Sequence, residues 1–161
     1  MSRTSALVAA ALLVAAACSG PRIEDVSLTE LIAQAEEPQA AASVIYLWAP
    51  WSRQSVELAP SFQELAAEYG LLDVASYSVC VDARTDCDEA ILKLPGDAFL
   101  RLEEPFSEVV EGLKIADLPA MLAYDSEGKL FVEMSGADRI DGLRPEDIAD
   151  AIDSVLAPSD E

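Results

Sequence analysis

Hydrophobic and polar positions change period repeatedly along this chain, and each change predicts an element. Val44-Ile45-Tyr46-Leu47 is an unbroken apolar run and predicts a buried strand. A short turn later, Leu58, Phe62, Leu65 and Tyr69 recur at helical spacing, which predicts a helix over Val56–Gly70. Gly70 is expected to cap its C-terminus. Pro60 falls inside the pattern and is expected to kink it, because proline removes a backbone donor. Ser27-Leu28-Thr29-Glu30 has capping-box form and predicts a helix through Glu36, with Leu28, Leu31 and Ile32 on its apolar face. Val74 to Val81 predicts a second strand, and Phe106 to Leu113 another helix. Asp125-Ser126-Glu127-Gly128 reads as a hairpin turn leading into a strand over Lys129–Met134. Pro145 suits the first turn of a terminal helix with Ile148, Ile152, Val155 and Leu156 inward.

The stretch that organises the chain is Trp48-Ala49-Pro50-Trp51-Ser52-Arg53-Gln54-Ser55, between the first strand and the long helix. Strand, tight turn and proline-containing helix resemble the redox-site segment of thioredoxin-like proteins, which carry Trp-Cys-x-x-Cys at this turn. Trp51 is kept, whereas Ser52 and Ser55 stand where that family has cysteines. A second resemblance lies in Ile115-Ala116-Asp117-Leu118-Pro119, similar to the family segment whose proline is cis and faces the turn. Gly136 matches a family glycine just after the hairpin. The resemblance implies an α/β thioredoxin-like fold, with a central mixed β-sheet flanked by helices. Arg84 to Pro105 is expected to be an insertion between the second core strand and the cis-proline segment, with a helical piece over Asp88–Leu94 and a break at Pro95-Gly96. Tyr46 matches the family's buried aspartate and Ser78 a nearby lysine, so its proton-handling groups are replaced along with the thiols.

The N-terminus predicts export. Arg3 precedes an apolar run of 12 residues, Ala6 to Ala17, short for a membrane span. Ala15-Ala16-Ala17-Cys18 resembles a bacterial lipobox, which implies cleavage before Cys18 and lipidation of that cysteine. The expected organisation is a signal peptide over 1–17, a lipidated tether over 18–26 and a thioredoxin-like domain over 27–158. Ser19 lacks the aspartate that often marks inner-membrane retention, which favours the outer membrane. Lipidation of Cys18 leaves Cys80 and Cys87 as an even pair in an oxidising compartment. The pair reads as a structural bridge or as a displaced redox pair. In the chain-entropy model such a short loop gains about 2–2.5 kcal/mol from closure.

Composition then narrows the function. The chain has 161 residues, 52% of them hydrophobic, which suits one compact domain after leader removal. A formal net charge of -20 argues against nucleic-acid binding. Histidine is absent, which removes histidine-based triads and histidine metal sites. The acidic run Asp82, Asp86, Asp88 and Glu89 lacks EF-hand spacing and reads as a solvated loop. No metal or cofactor is expected. Ser52, without a base, is expected to cap the helix. Trp51, Leu118 and Pro119 are expected to wall a groove with free backbone groups for an extended peptide. The expected function is that of a redox-inactive module binding an envelope protein or extended peptide, with membrane contact only through its lipid. The alternative is a thiol–disulfide oxidoreductase using Cys80 and Cys87. Metabolic labelling with a fatty acid is expected to mark the wild type and not Cys18→Ala; a label that persists in the variant contradicts the anchor.

Overall fold

The structure is a computed structural model, and it describes residues 20–37, 39–138 and 141–157. Cys18 and the expected signal peptide lie outside the described residues. Six strands form one sheet: β1 (Arg22–Val26), β2 (Ala42–Trp48), β3 (Val74–Cys80), β4 (Ala98–Leu102), β5 (Ala120–Tyr124) and β6 (Leu130–Ser135). Their spatial order is β1-β4-β3-β2-β5-β6. The first four in that order are mutually parallel, and β5 runs antiparallel to both β2 and β6. Five helices flank the sheet among the described residues: α1 (Leu28–Glu36), α2 (Arg53–Gly70), α3 (Arg84–Ile91), α4 (Phe106–Leu113) and α5 (Pro145–Leu156).

Strand β2 explains the layering. All seven of its residues are buried, and successive side chains point to opposite faces. Val44, Tyr46 and Trp48 pack with Leu58 and Phe62 of α2, Ile91 of α3, and Ile148 and Ile152 of α5. Ile45 and Leu47 pack with Leu31 and Ala35 of α1 and Val109 of α4. An unbroken apolar run is what a parallel strand covered on both faces requires.

Most expected elements form within a residue or two. Helix α1 has its capping box: the Ser27 hydroxyl accepts the Glu30 N–H, and the Glu30 carboxylate accepts the Ser27 N–H at 3.0 Å. Helix α4 spans the residues expected. Helix α2 starts three residues earlier than its apolar pattern, because Ser52 caps it at the turn. Gly70 is not the cap: it is the last helical residue, Leu71 follows in right-handed geometry, and Asp73 takes the left-handed conformation at φ 63°.

One expectation fails. The stretch 18–26 is not simply a tether, since Arg22–Val26 forms β1, paired in parallel with Ala98–Leu102. Only Val26 of β1 is fully buried, so no apolar pattern announced it. The expected insertion at 84–105 is present, with its helix at Arg84–Ile91 instead of Asp88–Leu94. It folds as α3 and β4, and β4 lies between β1 and β3.

A charge cluster secures this added unit. Arg101 of β4 is only 7% exposed. Its Nε donates to Asp25 Oδ1 of β1 at 2.6 Å, and it also pairs with Asp88 of α3. Arg84, the first residue of α3, pairs with the other oxygen of Asp25.

The hairpin between β5 and β6 shows where glycine is required. Gly128 sits at φ 77°, and a Cβ there would lie 1.9 Å from the Glu36 carbonyl oxygen of α1. Gly128→Ala is therefore expected to cost at least about 2 kcal/mol, combining left-handed strain with a backbone clash. The urea midpoint checks this, with an unchanged slope expected.

Candidate functional site

Parallel strands bring the C-terminal ends of β2 and β3 to one edge of the sheet. Trp48, the last residue of β2, is the register partner of Cys80, the last residue of β3. The pairing continues one step further, with the Val81 N–H donating to the Trp48 carbonyl at 2.8 Å. Everything chemically distinctive on this edge grows from that juxtaposition.

From Trp48 the chain turns through Ala49, Pro50 and Trp51 into α2. Ser52 stands at the turn and makes two bonds. Its Oγ accepts the Ser55 N–H at 3.3 Å, which caps α2, and donates to the Leu118 carbonyl at 3.2 Å. Ser55 is fully buried, and its carbonyl accepts the Tyr46 hydroxyl at 2.8 Å. Tyr46 stacks on Phe62 with ring centroids 4.8 Å apart. Burial pushes the Tyr46 phenol far above its ordinary pKa, so it acts as a neutral donor. Ser78 accepts the Trp48 indole N–H at 3.1 Å. Neutral hydrogen bonds thus link Ser52, Ser55 and Tyr46, with Ser78 bonded separately to Trp48, while the buried Ser55 hydroxyl itself has no hydrogen-bond partner among the described residues.

The peptide wall expected at Leu118 and Pro119 is not open. The Leu118–Pro119 peptide is cis. Leu118 is only 3% exposed and Pro119 is buried. The Leu118 N–H donates to Asp117 Oδ1 at 2.8 Å, and its carbonyl is taken by Ser52. The Pro119 carbonyl accepts the Gly136 N–H at 2.8 Å. Internal bonds therefore occupy the backbone groups that an extended peptide was expected to use. The cause is Ser52, whose hydroxyl reaches across to this segment.

Trp51 is 53% exposed and rests edge-on against Phe106 of α4, at 5.2 Å between centroids. On its other side it borders a groove of about 550 Å³ between the start of α2 and α3. Val56 and Pro60 of α2 and Ala90 and Leu94 at α3 give this groove apolar sides. Asp82, Asp86, Glu89 and Lys93 supply its charged groups. Asp86, Glu89, Ala90 and Lys93 recur at helical spacing, a signal present in the sequence but obscured by reading the acidic run as a loop. Asp88 belongs to that run yet faces Arg101 instead.

Cys80 and Cys87 are bonded to each other, with Cα atoms 5.9 Å apart. Cys87 is the fourth residue of α3, and both cysteines are fully buried. The bridge lies directly behind the groove. Trp48, beside Cys80, lines it from the sheet, while Asp86 and Ala90, one before and three after Cys87, line it from α3.

No protein-family model and no curated protein matches the chain. Solved structures do match. A putative thiol:disulfide interchange protein DsbE from Chlorobium tepidum aligns with TM-score 0.60 at 19% identity, covering 73% of this chain and 82% of that one. DsbF from MTB, solved in mixed oxidized and reduced forms, gives 0.59 at 20% identity over 72% and 81%. The pneumococcal exposed lipoprotein thioredoxin from Streptococcus pneumoniae gives 0.59 at 17% identity over 76% and 89%. The fold is thioredoxin-like.

These findings correct the expected function. A redox-inactive module was expected from the serines at the turn together with Tyr46 and Ser78 at the family's proton-handling positions. The similar structures include thiol:disulfide interchange proteins, and this chain carries a formed disulfide one strand away from the turn. The inference failed because parallel pairing puts the end of β3 beside the end of β2, so cysteines distant in sequence share the same edge.

Ser52 ties the turn to the Leu118 segment and caps α2 at once. Ser52→Ala is expected to lower stability by about 1–2 kcal/mol, seen as a lower urea midpoint, with Ser52→Thr retaining most of it.

Proposed function

We propose that this protein is a thiol–disulfide oxidoreductase of the bacterial cell envelope that works through Cys80 and Cys87. The observation that carries the proposal is the position of their bridge, at the sheet edge that bears the Trp51 turn and directly behind the groove. The named activities of similar folds support it, and an exposed lipoprotein among them supports export with an anchor at Cys18.

The exchange balances without any further reagent. A thiolate of a partner dithiol attacks Cys87 Sγ, the sulfur carried by the helix at the groove. The Sγ–Sγ bond breaks, and its electron pair leaves on Cys80. The partner's second thiolate then attacks its own sulfur in the mixed disulfide, and Cys87 leaves as thiolate. The partner is oxidised by two electrons to a disulfide, and the Cys80–Cys87 pair is reduced to the dithiol. The reverse sequence reduces a partner disulfide.

Both sulfurs are covered, so exchange requires α3 to open locally. The helix suits that demand. It has eight residues, and Ala83 at its N-cap makes no side-chain capping bond. Besides the bridge itself, its hold on the fold comes from Ile91 in the core and from the ion pairs of Asp88 and Arg84. Asp88 is 42% exposed at its side chain, so losing its pair is worth about 1 kcal/mol, or roughly fivefold in the opening equilibrium.

The test is turnover of insulin disulfides with dithiothreitol by mature protein, compared with a Cys80→Ser/Cys87→Ser double variant. Wild type is expected to be at least tenfold faster, and Asp88→Asn to exceed wild type by about fivefold. Equal rates for wild type and the double variant, with a difference only in unfolding, would reduce the bridge to a staple and overturn the proposal.

A further inference from the structure

The groove in front of the bridge has a chemistry that selects its occupant. Trp51 and Val56 are 53% and 38% exposed, large apolar side chains flanking a concave surface beside Leu94. Such exposure beside a cavity marks a contact surface more than it does on a convex face. The charged groups are unevenly placed. Asp82 and Asp86 lie at the end where α3 begins, and Glu89 follows one turn on. Lys93 stands beyond them, at the far end. Among the described residues, none of these carboxylates pairs with a cation, whereas nearby Asp25 and Asp88 both do. Asp82 accepts the Ala83 N–H at 2.7 Å, and the groove presents carboxylates without a cation partner at the end nearer Cys87, next to an aromatic anchor.

We propose that this groove docks cysteine-bearing polypeptide segments in which a lysine or arginine neighbours a large apolar residue, the basic group lying toward Asp86 and Glu89 and the apolar one against Trp51. The assignment rests on the oxidoreductase reading and names its partner class. Complementarity of charge picks the basic residue, and the exposed aromatic picks its apolar neighbour. The orientation follows from Lys93, which repels a second cation at the far end. Docking in this register brings the segment's cysteine to the face of α3 behind which Cys87 lies. A segment with acidic neighbours meets like charge there and loses the encounter.

The experiment separates docking from exchange by using peptides with serine in place of cysteine. A ten-residue peptide with adjacent lysine and leucine beside the serine is titrated into mature protein by calorimetry. A second peptide carries glutamate for lysine, and a third has the same composition with lysine moved to the far end. Because the whole chain carries a net charge of -20, any cationic peptide is attracted generally, and the third peptide measures that background. The first peptide is expected to bind at least fivefold more tightly than the third, and the glutamate peptide not measurably. Asp86→Asn/Glu89→Gln is expected to erase the fivefold preference, and Trp51→Ala to weaken the first peptide about tenfold. Urea midpoints unchanged in both variants tie the loss to the surface. Equal affinity for the first and third peptides, or a preference that survives Asp86→Asn/Glu89→Gln, overturns the inference. Selective binding by a Cys80→Ser/Cys87→Ser variant with no wild-type turnover keeps the groove and rejects the redox reading. Turnover without peptide preference does the reverse.

Discussion

The parallel pairing of β2 with β3 is the constraint on which this structure depends. It runs over seven residue pairs, from Ala42 opposite Val74 to Trp48 opposite Cys80. Burial of β2 on both faces fixes the register, because a slip of one residue would send Tyr46 and Trp48 to the wrong side of the sheet. Once that register is set, the turn after β2 and the bridge after β3 must emerge together. General architecture agrees, since open α/β sheets place their working groups beyond the carboxyl ends of parallel strands.

Serines at the turn decide what that turn does. A serine hydroxyl has no accessible thiolate-like state, so its contribution is made through neutral hydrogen bonds. Ser52 spends one on α2 and one on the carbonyl of Leu118, and so locks the turn against the cis-proline segment. Trp51 rests on Phe106 on one side and borders the groove with α3 on the other. The groove on the α3 side of the tryptophan lies next to the Cys80–Cys87 pair.

The unit α3–β4 supplies the far wall of the groove, and buried charge holds it. Arg101 is an ionic group in the interior whose guanidinium is satisfied only by Asp25 and Asp88 together. Such clusters add little net stability against an apolar alternative, yet they are demanding about geometry. Here they link β1, β4 and α3 through groups that water can still reach at Asp88. A helix held by a half-exposed ion pair is a natural place for local opening, and it is the helix that carries Cys87.

The sequence by itself determined the layered core and most element boundaries. The apolar run of β2, the helical spacing of Leu58, Phe62 and Tyr69, the Ser27 capping box and Pro145 at a first turn are local signals whose physics acts within one element. The sequence also marked the Trp51 turn and the Cys80–Cys87 pair as the chemistry-bearing positions. What only the tertiary structure decided were the relations between distant segments. Strand β1 has too few apolar residues to declare itself, and it forms because β4 offers an edge and Arg101 offers its charge to Asp25. The acidic run became a helix face, with Asp88 paired inward and Asp86 and Glu89 turned to the groove, because α3 packs Cys87 and Ile91 against the sheet. The closing of Leu118 depended on a hydroxyl reaching it from 66 residues away. The nearness of the disulfide to the turn followed from strand register, which no local pattern of residues contains.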